Sequence, residues 1–137
     1  MGRSILAIVV GFLLIGALAF GADAVVRSAV PGAFDVAGRT DSVPLLLLSL
    51  AYVGIFATAG CYLTARLAPD RPMRHALILG LLGLILNVVG SVQMWDTAPA
   101  WYHLVAIAMV MPYAWLGGWL RERQLARTGA RTTPVAA

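Results

Sequence analysis

The sequence predicts an all-α fold, a four-transmembrane-helix bundle running antiparallel up-down-up-down with both termini in the cytoplasm. Three observations carry that expectation. The first is a set of four stretches, Ser4–Ala22, Ser42–Ala65, His75–Trp95 and Thr97–Leu120, that run 19, 24, 21 and 24 residues without Asp, Glu, Lys or Arg. A helix needs about 20 mostly apolar residues to cross the ~30 Å hydrocarbon layer, so each run is long enough to span. The second is the turn chemistry between the runs. The third is the uneven placement of charge, because all ten basic residues are arginines and eight of them fall on segments that alternate spans would leave on one side.

Composition narrows the class further. The chain is 61% hydrophobic and 12% charged, half the roughly 25% charge of an average soluble domain. The segments outside the spans are too short for a separate soluble domain of ~50 residues, so residues 1–137 read as a single integral membrane domain. The net charge of +4 would suit nucleic acid, but the arginines sit beside the spans, where they set orientation, and no nucleic-acid partner is expected. The single Cys61 excludes an internal disulfide and any CxxC redox or zinc pattern.

The first helix is expected at about 4–26. Met-Gly-Arg followed by an apolar run, with Ala22-Asp23-Ala24 beyond it, has the outline of a signal peptide. However, a signal h-region usually runs about 7–15 residues, and Ile5–Ala22 has 18 without a charge, so a retained helix is the expectation. The following loop carries turn signals at Pro31-Gly32 and Gly38, and its Ala33–Ala37 piece is expected to lie on the membrane surface.

The second, third and fourth helices are expected at about 43–65, 74–95 and 99–120. Pro44, Pro72 and Pro99 stand at their heads, where a missing N–H costs nothing. Ser42, Asp70 and Thr97 precede them as caps. The tight 96–100 link makes spans three and four a hairpin, and Pro112 predicts a kink within span four. The tail 121–137 is expected to be flexible. Trp95, Trp101 and Tyr102 form an aromatic belt at one surface, with Tyr62, Trp115 and Trp119 toward the other.

Lys and Arg collect on the cytoplasmic side of membrane proteins. Arg3, the 66–74 link (Arg66, Arg71, Arg74) and the tail (Arg121, Arg123, Arg127, Arg131) supply eight on one side, against Arg27 and Arg39 on the other. Both termini are therefore placed in the cytoplasm.

Helices in lipid associate through close backbone approach and polar contacts, because lipid tails are as apolar as leucine. Ala51, Gly54, Thr58, Cys61 and Ala65 recur at three- and four-residue spacings in the second span, as do Gly80, Gly83, Asn87, Gly90 and Met94 in the third. Gly54, Thr58, Gly80, Gly83 and Gly90 are thus read as a helix-packing seam, the two stripes facing each other across the 66–74 link. A fainter echo aligns Gly60-Cys61-Tyr62-Leu63-Thr64-Ala65-Arg66 with Gly117-Gly118-Trp119-Leu120-Arg121-Glu122-Arg123. Duplication of a hairpin and convergence on one kind of membrane exit both account for it.

Two polar residues are candidates for intramembrane contacts. Asn87 falls near the bilayer midplane, where an amide must find a partner, and an interhelical hydrogen bond is the expected one. Asp23 closes the first span, with Arg27 one turn further on the same face, a spacing that suits an interfacial ion pair. His75 and His103 head the third and fourth spans from opposite faces, some 30 Å apart by helix length. They read as interfacial residues and cannot share a metal. No Gly-rich phosphate loop, Ser/His/Asp set, HExxH pair or cluster of carboxylates is present. No catalytic, cofactor-binding or metal-binding residue is therefore assigned, and no cofactor is expected.

The segments Gly60-Cys61-Tyr62-Leu63-Thr64-Ala65-Arg66-Leu67-Ala68-Pro69, Arg71-Pro72-Met73-Arg74-His75-Ala76, Leu79-Gly80, Trp101-Tyr102 and Ala114-Trp115-Leu116-Gly117-Gly118 resemble a family of small uncharacterised four-helix integral membrane proteins of bacteria. The resemblance covers spans two to four. It implies multi-pass residence in the bacterial inner membrane and carries over no activity and no site residue.

The functional expectation is a non-enzymatic accessory, scaffold or assembly protein. Its partners would be the lipid bilayer together with either a second copy of the chain or another membrane protein. The alternative is a small oligomeric transporter or channel in which Asp23 and Asn87 contact the cargo.

Overall fold

A computed structural model describes residues 2–68 and 70–131. Among the described residues there are four α-helices, α1 (Gly2–Ala29), α2 (Val43–Leu67), α3 (Pro72–Gln93) and α4 (Ala100–Arg131), with short 3-10 turns at Pro31–Ala33 and Trp95–Thr97. Even α3, the shortest at 22 residues, is about 33 Å long at 1.5 Å per residue. All four are long and apolar enough to cross a membrane. Large apolar side chains such as Phe20, Ile55, Leu81 and Val92 point outward, and small or polar residues turn inward, the reverse of a soluble bundle.

Several boundaries differ from the sequence expectation. α4 does not stop where its apolar run stops but continues to Arg131. Its last turns are rich in Arg, Glu, Gln, Leu and Ala, all good helix formers, so the end of a membrane span is not the end of a helix. Tyr62 of α2 donates to Gln124 Oε1 at 2.7 Å, and Arg121 donates to the same oxygen at 2.8 Å, which ties the extension to its neighbour. The rest of the expected flexible tail, 132–137, lies outside the described residues, as does Pro69. α4 also runs through Pro112 as one helix.

The expected side-chain caps are not made. Ser42 holds the N-cap position of α2 without a side-chain bond, and the N-cap of α3 is Arg71, with φ 48° and ψ 65°, rather than Asp70. Thr97 donates to the Met94 carbonyl at 2.7 Å instead of accepting from an α4 amide. The 30–42 loop folds around Asp35, whose Oδ1 accepts from the amides of Ala37 and Arg39, each at 2.8 Å. Gly38 takes φ 77°, the left-handed region open to glycine. The loop is then pinned to the α3–α4 link by the Thr40 amide, which donates to the Thr97 carbonyl at 3.1 Å.

The bundle has two unlike halves. The arginine-rich end holds the core, formed by Cys61, Ala65, Ala76, Leu79 and Ala114 with Ile8 and Ile15 packed against it. Glycines set its tightness. α1 and α2 touch backbone to backbone, since a Cβ on Gly11 would meet the Gly60 carbonyl at 2.8 Å and one on Gly60 would meet the Gly11 carbonyl at 3.0 Å. Thr64 donates its hydroxyl to the Ala7 carbonyl at 3.1 Å in the same zone. Further along α1, Gly16 and Gly21 have no atom within 4 Å of a built Cβ. The closest backbone approach of α1 and α2 is thus at the arginine-rich end, and the polar cavity lies toward the other end.

The two sequence stripes do not face each other. Both face α4. A Cβ on Gly54 would lie 2.6 Å from the Tyr113 ring, Gly80 abuts Ala114, and Gly83 meets Val110 at 3.7 Å. The Thr58 carbonyl lies 2.6 Å from a Cβ built on Gly117 of α4, with Cys61 Cβ at 2.8 Å. Gly90 seats nothing within 4 Å, so it does not serve the seam to which its spacing assigned it. Spacing shows that residues share a face, but not which neighbour that face meets.

Candidate functional site

The loop end of the bundle holds a cavity of about 300 Å³. Every helix contributes polar side chains to it: Asp23 from α1, Ser49 and Tyr52 from α2, Asn87 and Ser91 from α3, Tyr102 and His103 from α4. Phe34, Gly38 and Thr40 of the Asp35-centred loop line it as well. Its volume stands at the lower end of the ~300–1,000 Å³ usual for small-molecule sites.

The polar groups are partly satisfied among themselves. Tyr52 donates its hydroxyl to Asp23 Oδ1, joining α2 to α1. Ser49 and Tyr102 share a hydrogen bond at 2.8 Å, joining α2 to α4. The expected ion pair between Asp23 and Arg27 is replaced by these contacts: the Arg27 guanidinium sits over the Phe34 ring, 4.8 Å from its centroid. One helical turn brings two side chains onto one face, but Tyr52 competes from the neighbouring helix and the loop supplies Arg27 with an aromatic face.

Asn87 also differs from expectation. Its Oδ1 accepts from Ser91 of the same helix at 3.5 Å, in place of an interhelical bond, and its amide lines the cavity. The two candidate residues, Asp23 and Asn87, are thus brought to one site from different helices. The seam residues Gly54, Thr58, Gly80 and Gly83 lie elsewhere, against α4, while Gly90 lines the cavity wall.

His103 is the residue that sequence reasoning most underrated. It is only 5% exposed, and its Nε2 is buried without a hydrogen-bond partner. Its ring stacks on Trp95, centroids 5.2 Å apart and planes 19° apart, with Tyr102 edge-on at 5.6 Å. Ring packing holds the imidazole in place, and the residue is among those that line the cavity. Buried polar groups nearly always have partners, protein or water, and an exception calls for an explanation. A signal for the site was present in the sequence. Ser49 with Tyr52, Asn87 with Ser91, and Tyr102 with His103 each place polar residues near the same end of a span, but only the register of the helices shows that they converge.

Among the described residues, no three His, Cys, Asp or Glu side chains gather to hold a metal ion. His75, the other sequence candidate, stands at the opposite end, its Nδ1 3.2 Å from the Arg71 carbonyl.

Four membrane-length apolar helices around a polar half-cavity define a helical bundle of the multi-pass membrane class. No protein-family model, no curated protein and no solved structure matches the chain.

Proposed function

We propose that this is a bacterial inner-membrane protein that holds a small polar molecule in the cavity at its loop end, and that it works as an accessory component rather than as a catalyst. The observation that carries the reading is the convergence of polar side chains from all four helices on one cavity, with the buried His103, whose Nε2 has no hydrogen-bond partner, among its lining residues. The sequence resemblance to small bacterial four-helix membrane proteins supports the location. The absence of an acid–base or nucleophile motif in the sequence supports the accessory role.

The helices in this reading run up-down-up-down, which is supported by contacts linking the start of one to the end of the next: Ala7 with Thr64, and Asp23 with Tyr52. The eight-to-two arginine bias supports termini in the cytoplasm, and in this reading the cavity opens outward. The second reading, an oligomeric transporter, is favoured by one observation, the joining of Asp23 and Asn87 in the same cavity. It requires the glycine-packed half to part during transport.

Cysteine accessibility tests both. Ser49→Cys in a Cys61→Ser background, treated with a membrane-impermeant thiol reagent, should react from the outer face of spheroplasts and not from inverted vesicles. No reaction from either face would remove the cavity reading, and reaction from the cytoplasmic face alone would reverse the orientation. Reaction from both faces would establish the transporter in its place.

A further inference from the structure

A second concavity lies on the outside of the bundle, between α3 and α4 at the arginine-rich end, and it has no part in the cavity described above. Arg71, Arg74 and Glu122 form its rim, and Leu77, Leu81 and Met111 are among the residues of its wall. From Arg71 to Leu81 is ten residues of chain, about 15 Å of helix. That is half of the ~30 Å hydrocarbon layer, the depth of one leaflet. The wall is therefore as long as one acyl chain lying in one leaflet, and it ends where a headgroup would stand. Ile78 and Leu81 on this face are 44% and 53% exposed, so the apolar wall is open from the side, as a lipid chain requires. Beside it α4 packs closely on α3 at Gly118, where a Cβ would lie 2.7 Å from the Met73 sulfur.

The rim selects among headgroups. Two guanidinium groups present forked donors that match a phosphodiester. A purely basic rim would favour any anionic lipid, but Glu122 adds one negative charge beside them. We propose that this groove is a binding site for a phospholipid whose headgroup carries both a phosphate and a primary ammonium, the phosphatidylethanolamine type. Arg71 and Arg74 take the phosphate, Glu122 takes the ammonium, and one acyl chain lies along Leu77, Leu81 and Met111. A choline headgroup has no N–H to offer Glu122, and a glycerol headgroup has no cation.

The test is native mass spectrometry of the full chain, released by mild detergent from nanodiscs containing equal phosphatidylethanolamine, phosphatidylglycerol and phosphatidylcholine. One phosphatidylethanolamine per chain should be retained, preferred about fivefold over the other two, a difference well within what one charge-assisted contact supplies. The double variant Arg71→Gln/Arg74→Gln should lower retention of all three by about tenfold. Glu122→Gln should keep the lipid but abolish the preference, and Arg127→Gln, off the groove, should change neither. Preferential retention of phosphatidylglycerol by the natural chain would overturn the proposal. So would a preference that survives Glu122→Gln, retention unaffected by the double variant, or a dimer that forms as the lipid is lost. None of these outcomes depends on what occupies the cavity at the other end.

Discussion

The hydroxyl of Tyr52 on α2 is hydrogen-bonded to the carboxylate of Asp23 on α1, at the end of the bundle where those two helices have lost the glycine contact that binds them at Gly11 and Gly60. That bond joins α1 to α2 in the cavity half, where Ser49 and Tyr102 join α2 to α4. Hydrogen bonds between membrane helices average about 0.6 kcal/mol, with a maximum near 1.7. Tyr52→Phe and Asp23→Ala should each lower stability by roughly that amount, with a coupling of similar size in a double-mutant cycle. Reversible unfolding in mixed detergent micelles would measure it, and additive effects would mean that the two side chains do not act as a pair.

Glycine substitutions should divide by neighbour rather than by spacing. On Gly117 a Cβ would come within 2.6 Å of the Thr58 carbonyl, a backbone atom that cannot turn aside. Gly117→Ala should therefore cost about 1–3 kcal/mol, the usual range for overpacking. Gly90→Ala and Gly16→Ala meet nothing and should be neutral or stabilising by up to about 1 kcal/mol through helix propensity. The same unfolding assay decides this. Equal losses at Gly117 and Gly90 would contradict the assignment of close contacts to α4.

Cys61 reports on the tight half. It is 3% exposed and is the chain's one cysteine, so a maleimide should label the folded protein far more slowly than the protein denatured in strong detergent. Comparable labelling of both would show that the core around Ala65, Leu79 and Ala114 is open.

Asn87→Leu should leave the bundle intact, within the ±0.5 kcal/mol typical of positions without a buried network. Its hydrogen-bond partner, Ser91, is on its own helix, so no helix–helix contact is lost. Thermal unfolding in detergent checks the point. A drop of 1 kcal/mol or more, converted to a fall in Tm through the unfolding enthalpy, would restore the interhelical role suggested by its midplane position.

Asp35→Ala should loosen the loop over the cavity, since the two amide bonds to its carboxylate are lost, each worth about 1 kcal/mol. Hydrogen exchange at Ala37 and Arg39 should accelerate while α2 remains protected. Unchanged exchange would assign the loop's order to the Thr40–Thr97 backbone bond instead.

Much of this architecture was legible from the chain. The uncharged runs located four helices, because crossing hydrocarbon demands both length and apolarity, and those demands are local. The inward stripes of Gly54, Cys61 and Gly80 were legible for the same reason, since periodicity along a helix is a property of one segment. Helix ends were less legible. The arginines after Leu120 mark where the hydrophobic run stops, yet backbone hydrogen bonds continue through them to Arg131.

The pairing of faces was decided by the tertiary structure alone. Both glycine stripes met α4 rather than each other, Asp23 found Tyr52 rather than Arg27, and Asn87 turned to a cavity. His103, a single imidazole at the head of a span, became a buried group with an open nitrogen. Such outcomes depend on the register and spread of four helices, set by where backbones come closest. At Gly11–Gly60 they touch, and some twelve residues further along α1, at Asp23, lies the polar site.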